Sequence, residues 1–293
     1  MDITFSLPLL LQSVVSGVFL GGVFALIATG LTLIWGVMKI INFAHGEFLM
    51  VGLYLVYFLV TKLGINPYLT IPINFIFLFL IGALIFRVNI QPVLKDPVMN
   101  QILLTVGLML VLQNLALLFF SATPLTYDNI YNRITYSIGP IVFPLANVLA
   151  FIGSLIVILL LGLFLNRTDT GRAIRAASQN SEAATLMGID VSRTYLIAFG
   201  IGSGCVGIAA SLMITFYYVS PTVGGFLGLI AFIIVVLGGM GNIAGALIGG
   251  LIIGLGETVG AALLPGSFSR LLTFLIFIFV LLFRPEGILR RGE

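Results

Sequence analysis

Apolar runs of membrane-spanning length follow one another along almost the whole chain, separated by short polar joints and one long one. A crossing helix needs about 20 mostly apolar residues. On that measure spans fall near 9 to 36, 47 to 61, 68 to 86, 99 to 120, 141 to 165, 194 to 217 and 267 to 283. A further apolar stretch, 227 to 256, is broken near its middle by the glycines of GGMGNIAG, Gly238 to Gly245. The pattern predicts an all-α, polytopic transmembrane helical bundle forming one domain over 1–293. It should have about seven full spans plus a broken or re-entrant helical pair.

Composition agrees with that pattern and narrows the function classes. The 293 residues are 60% hydrophobic and 8% charged, with a mean hydropathy of +1.23, far outside the soluble range. A net charge of +3, spread over several loops, gives no reason to expect nucleic acid as a partner. The single cysteine, Cys205, lies in an apolar run, so it reads as a small buried side chain. Asp2 stands where a signal peptide would carry Lys or Arg, so a cleaved signal is not expected.

The one long polar segment, Asn166 to Arg193, must face water and meet something soluble. Lys and Arg favour the cytoplasmic side. With this loop inside, Lys39, Arg87, Lys95, Arg167, Arg172, Arg175, Arg193, Arg284, Arg290 and Arg291 are all inside, against Lys62, Arg133 and Arg270 outside. The N-terminus is then outside and the C-terminus cytoplasmic. Within the loop, Asn180 or Ser181 can cap a short helix, and Glu182 sits where the helix dipole favours a carboxylate. Ala183, Ala184, Leu186 and Met187 continue it, and Gly188 suits the left-handed residue that ends it. A stub of about two turns is unstable alone in water and needs a surface to lie against. A docking knob and a helix that merely caps the bundle both fit this reading.

Orientation constrains the broken stretch. The span from 194 leaves the cytoplasm and the last span must return, so whatever lies between begins and ends outside. Two apolar pieces of about 12 to 14 residues, each roughly 20 Å long as helix, are short for a hydrocarbon layer of about 30 Å. A re-entrant hairpin or two half-length tilted helices fits, with Gly238 to Gly245 expected outside or buried in the membrane, never cytoplasmic. There Gly238, Gly239, Gly241 and Asn242 would line a path or form a glycine packing seam. A comparable interruption runs from Lys39 to Glu47, with Asn42 as a candidate cap and Glu47 in the following first turn. Paired interruptions in two halves of a transporter point to the transport path. An ordinary cytoplasmic loop at 39 to 47 satisfies the charge count equally well. Gly17 with Gly21, Gly200 with Gly204, Ser203 with Gly207 and Ser211, and Gly241 with Gly245 and Gly249 form rows suited to close helix packing. The outer loop, Ser121 to Pro140, is either merely solvated or a receiving surface for a soluble partner.

No enzyme constellation is present, so no catalytic and no metal-ligating residues are expected. His45 is the only histidine, and no phosphate-binding G-x-x-x-x-G-K-S/T occurs. Energy must therefore come from a partner or from an ion gradient. Ion coupling usually places ionisable groups at mid-membrane, and only Glu257, Glu47 and His45 are candidates, which makes an ion-coupled secondary transporter the weaker reading.

The segment Glu182-Ala183-Ala184 followed by Gly188 resembles the EAA motif of ABC-importer permeases, the cytoplasmic helix pair that docks into the ATPase. Asn42-Phe43-Ala44-His45-Gly46-Glu47, Thr170-Gly171-Arg172-Ala173-Ile174-Arg175-Ala176, Met187-Gly188-Ile189-Asp190, Leu237 to Ala246 and Arg284 to Leu289 extend the likeness. Together they are similar, over nearly the whole chain, to permeases of the high-affinity branched-chain amino acid ABC importer family, LivH type. Permeases for urea and short amides, or for other neutral amino acids, look much alike. The resemblance implies an inner or plasma membrane protein of a prokaryote, working with a second homologous permease, two cytoplasmic ATPases and an extracytoplasmic substrate-binding protein. ATP and Mg would sit on the partner subunits, and this chain would bind no cofactor. It assigns 166–193 as the coupling loop, with Arg172, Arg175, Glu182, Ala183, Ala184, Leu186, Met187 and Gly188 at the ATPase. For an amino acid substrate, Asn42, His45, Glu47 and Asn242 are candidates to line the path or, equally, to serve as caps and interhelical hydrogen bonds.

Overall fold

The computed structural model describes residues 7–264, 269–284 and 286–289. Its principal helices are α1 (Leu7–Met38), α2 (His45–Lys62), α3 (Thr70–Ile85), α4 (Val98–Phe120), α5 (Leu145–Arg167), α6 (Asp169–Gln179), α7 (Ser181–Leu186), α8 (Val191–Met213), α9 (Val223–Gly238), α10 (Ile243–Leu263) and α11 (Ser269–Phe283). Each of the seven expected spans coincides with a helix. Among the described residues six helical stretches are long and apolar enough to cross a membrane, including Pro67–Val93, which extends α3 at both ends, and α10. The chain is a polytopic helical bundle.

Close backbone approach holds its centre together. Helices α1 and α10 run antiparallel: Gly17 faces Gly254, Leu255 and Thr258, and Gly21 faces Gly250 and Leu251. A Cβ added at Gly21 would sit 2.8 Å from the Gly250 carbonyl oxygen, so only glycine permits this approach. In lipid, where apolar burial distinguishes helix from solvent poorly, such contact is a main source of helix association. Thr258 adds a hydrogen bond to the Ser13 carbonyl at 2.8 Å. Across the bundle α8 lies on α3, where the buried Asn74 amide donates to the carbonyls of Gly207 (2.8 Å) and Gly52 (3.3 Å), and the Thr70 hydroxyl donates to Ser211 (3.1 Å). The rows Gly17/Gly21, Gly200/Gly204 and Ser203/Gly207/Ser211 are thus packing seams, as their spacing predicts. Cys205 is buried.

The bundle has a polar end, formed by α6, α7, the end of α1 and the start of α10, since Thr32, Gly36, Ile174, Arg175, Ser178, Gly241 and Ile243 share one narrow cleft. Loops 63–69, 121–144 and 214–222 meet at the opposite end through Asn66 with Tyr131 (2.5 Å) and a backbone bridge between Leu125 and Val219. Here the structure adds what an all-helical reading left out. Strands β1 (Thr135–Ile138) and β2 (Ile141–Pro144) pair antiparallel about Gly139, whose φ of +60° suits a tight turn. The span expected from 141 therefore starts only at Leu145. Gln12 of α1 bonds both backbone groups of Val142, at 2.9 and 2.7 Å, and ties the hairpin to the bundle. In the same loop Arg133 pairs with Asp128 and, by its hydrogen bond, holds that carboxyl below the usual range.

Candidate coupling surface and translocation path

At the polar end the chain builds a short, firmly capped projection. Thr168 caps α6 by accepting from the Gly171 amide at 3.0 Å. Asn180 caps α7, its Oδ1 accepting from the amides of Glu182 and Ala183, each at 3.0 Å. At the other end Gly188 adopts φ +81°, with its amide on the Thr185 carbonyl and the Ile189 amide on the Ala184 carbonyl, both at 3.0 Å. That pair of bonds is the Schellman arrangement, and Asp190 then caps α8 through the Arg193 amide (2.9 Å). With both ends capped, α7 needs only one side-chain anchor. Ala184 supplies it, buried at 4% exposure where α7 lies against α6 and α8.

What α7 presents outward matters more. Leu186 is 88% exposed and Met187 83% exposed, with Glu182, Ala183, Arg172 and Arg175 also open to solvent. Arg172 pairs only with exposed Asp169, at 3.4 Å. A cleft of about 570 Å³ beside α7 is lined by Gln91, Lys95, Glu182, Thr185, Ser192 and Tyr195 among others. Two large apolar side chains held out on a capped stub, flanked by arginines, form a knob. Burying each in a groove is worth about 1.5–3 kcal/mol.

At mid-depth lies a second arrangement. Helix α1 ends at Met38, Lys39 takes a left-handed turn (φ +57°), and the chain folds back into the bundle. His45, at the start of α2, reaches the carbonyl of Ile27 at 3.0 Å. Ile27 precedes Met38 by eleven residues, about 16 Å of helix, so 39 to 47 is re-entrant and not a surface loop. The helix begins at His45 with Ala44 as its cap residue; Asn42 instead accepts from the Ala44 amide at 3.1 Å. Because a carbonyl only accepts, His45 Nε2 carries the proton in that bond.

Helix α9 begins at the same depth and meets α2 end to end. Its cap position, Thr222, makes no side-chain capping bond. Gly46 abuts Gly224 and Gly228, the Glu47 carboxylate lies over Gly224, and Phe43 stacks on Phe232 at 6.0 Å between ring centroids. Asn42, His45 and Glu47 are buried, at 3%, 1% and 0% exposure. Asn42 Nδ2, His45 Nδ1 and both Glu47 oxygens have no hydrogen-bond partner among the described residues. The N-terminal ends of two helices thus converge on Glu47, the one buried acidic side chain among the described residues. Unpaired buried polar groups are costly, and four such atoms are concentrated at this junction of two helices.

The glycine break corrects the sequence-based placement. Gly241 meets Gly36 near the end of α1, and Gly238 meets Gly245 backbone to backbone. Ile288 and Leu289 donate backbone hydrogen bonds to the carbonyls of Leu237 (2.8 Å) and Gly238 (3.3 Å), and Asn242 reaches the Leu289 carbonyl at 3.3 Å. Gly238 to Gly245 therefore lies at the polar end with Arg175, neither at mid-depth nor at the far end. The reason is length: the two pieces hold 16 and 21 residues, about 24 and 31 Å of helix. They descend to the polar end and return, keeping the expected parity. Asn242 caps α10 through the Gly245 amide (3.1 Å), and Gly238, Gly239 and Gly241 serve the turn. These residues are about 21 Å along α9 from Glu47. Cysteines at positions 240 and 243 should therefore label from the same membrane side as a cysteine at Glu182; labelling from the opposite side would overturn this placement.

A family model described as branched-chain amino acid transport system / permease component matches residues 13–281. The chain belongs to this permease family. It is 32% identical to the high-affinity branched-chain amino acid transport system permease protein BraD of Pseudomonas aeruginosa, over 97% of this chain and 96% of that one. It is 33% identical to the permease protein LivH of Escherichia coli K12 with the same coverage, and 31% identical to the probable LivH of Methanocaldococcus jannaschii over 90% and 87% of the two chains. No solved structure matches.

Within this permease the residues that sequence reasoning missed are the partners of Glu47. Gly224, Gly225 and Gly228 form the wall against α2, and their only signal was a pair of glycines opening an apolar run. Glu257, a candidate for an ionisable group in the membrane, lies six residues inside the end of α10 and accepts from the Thr273 hydroxyl at 3.1 Å.

Proposed function

We propose that this permease is one membrane subunit of an ATP-driven importer that carries branched-chain amino acids across the cytoplasmic membrane of a prokaryote. Its partners would be a second permease, two cytoplasmic ATPases and a binding protein on the outer side. The match over nearly the full length supports the transport class and the substrate. The observation that carries the division of labour is the capped α7 knob, with Leu186 and Met187 held out at one end of an otherwise apolar bundle. ATP and Mg would be held by the ATPases, and this chain would act as the moving channel wall. The polar end is then cytoplasmic and the hairpin end faces the binding protein, in agreement with the distribution of Lys and Arg.

The mechanism needs one differential affinity. If the closed ATPase pair holds α7 better in one permease state, ATP binding shifts the permease toward that state. Helix α7 is joined to α8 through Asp190, and α8 runs through the centre of the bundle beside α1, α2 and α3. Movement of the knob is thereby delivered to the α2/α9 junction. The test is uptake by the complete assembly in vesicles. Leucine, isoleucine or valine should accumulate only with ATP, the binding protein and all partner subunits. Uptake by this chain alone, driven by a proton gradient, would overturn the proposal.

A further inference from the structure

Helix α4 is the least covered of the long spans. Only Gln101, Thr105 and Ala116 of its 23 residues are buried, and 11% of its apolar window is covered by the rest of the chain, against 28% or more for each of the other long spans. Its attachments are one-sided and lie toward α2: Thr105 donates to the Ile41 carbonyl at 3.1 Å, and Phe120 stacks on Tyr54 at 4.1 Å. The opposite face is open along its length.

That open face is largely apolar but is interrupted within the span by Gly107 and Asn114. Asn100, Leu103, Gly107, Leu110, Asn114 and Leu117 are all exposed, and their spacings alternate three and four. This is the heptad seam by which one helix lies along another, with leucine at one position and Asn, Gly, Asn at the other. Asn114 lies six residues, about 9 Å, inside the end of the helix, and is therefore within the hydrocarbon. Its Nδ2 donates back to the Leu110 carbonyl at 2.8 Å, while its Oδ1 and the neighbouring Gln113 side chain have no hydrogen-bond partner among the described residues. An amide carbonyl at that depth finds no donor in acyl chains, and polar side chains in spans usually face protein or water-filled space. Gly107, one heptad below, has nothing within 4 Å of an added Cβ, leaving room for a second backbone to come close.

Resting on the importer reading above, we propose that this α4 face is the seat of a membrane-spanning helix of the second permease subunit. That helix sets small residues against Gly107 and a hydrogen-bond donor against Asn114. The hydrogen-bond complementarity selects a protein occupant over lipid. The seam also adjoins α2, so the contact between the two permeases runs beside the segment that carries Asn42, His45 and Glu47.

The test uses the whole assembly, purified through a tag on this chain. Gly107→Leu and Asn114→Leu should each weaken retention of the second permease by about tenfold, the scale of an interhelical polar or close-packed contact in membranes. Both should leave this chain's own melting temperature nearly unchanged, because Gly107 has open space beside it and the one hydrogen bond of Asn114 stays within its own helix. In a Cys205→Ser background, Leu110→Cys should crosslink to a cysteine scanned along the second permease. Wild-type retention and transport in both leucine variants would show a lipid-facing helix and overturn the proposal. Crosslinking of Leu110→Cys to another copy of this chain would overturn it too. Failure of the wild-type chain to associate with any second permease would instead defeat the importer reading itself.

Discussion

Ala184→Arg is expected to abolish amino acid uptake and binding-protein-stimulated ATP hydrolysis while leaving the assembly inserted in the membrane. Ala184 is the buried anchor of α7, and a guanidinium cannot stay there unpaired. The stub must lift, moving Leu186 and Met187 from where the proposed ATPase contact needs them. Since α7 is six residues at the rim of the bundle, its displacement is a local opening, not global unfolding. The melting temperature of the detergent-solubilised permease should therefore change little. Gly188→Ile reaches the same end differently, by forcing a β-branched residue to φ +81°, at a cost of about 1–3 kcal/mol. Leu186→Ala should give a graded version, with docking weaker by about 1.5–3 kcal/mol. Reconstituted vesicles in which the arginine variant transports and hydrolyses ATP at wild-type rates would remove the coupling role from α7.

The contrast between this knob and the α2/α9 junction explains which parts of the molecule the sequence made legible. The knob is specified locally: its cap, read as Asn180 or Ser181, and its terminator Gly188 lie within ten residues and could be placed from their spacing, whereas the burial of Ala184 as anchor depends on α6 and α8 and could not. The spans were legible for a similar reason, since hydropathy is a property of each segment. Their partners were not. Gly17 and Gly21 announce a close approach, but nothing local says that Gly250 and Gly254 provide the other half. The glycine break was misplaced because the apolar run was read as 227 to 256, whereas the helices continue through Gly224 and Gly225 at one end and Glu257 and Thr258 at the other. Polar residues inside the bundle, such as Glu257 bonded to Thr273, do not end a helix when tertiary structure satisfies them. Strand β2 was missed because its apolar residues merge with the span that follows.

Gly46→Val tests the junction, and its effect should be the most severe of any single change in the membrane. A Cβ at Gly46 would lie 2.0 Å from the Gly224 carbonyl oxygen and 2.6 Å from the Gly228 Cα. Both are backbone atoms of α9, which no rotamer change can move. The two half-helices must separate, breaking the stack of Phe43 on Phe232 and opening the sealed surroundings of Glu47 to water. Overpacking between rigid elements costs about 1–3 kcal/mol and more when backbone must shift, so the melting temperature should fall by several degrees or more. On the proposal that the translocation path runs beside this contact, uptake should fall to background. Gly162→Val is the matched control: nothing lies within 4 Å of an added Cβ there, so a valine should be tolerated in both measurements. A Gly46→Val permease with wild-type melting and uptake would mean that α2 and α9 do not meet as they stand here.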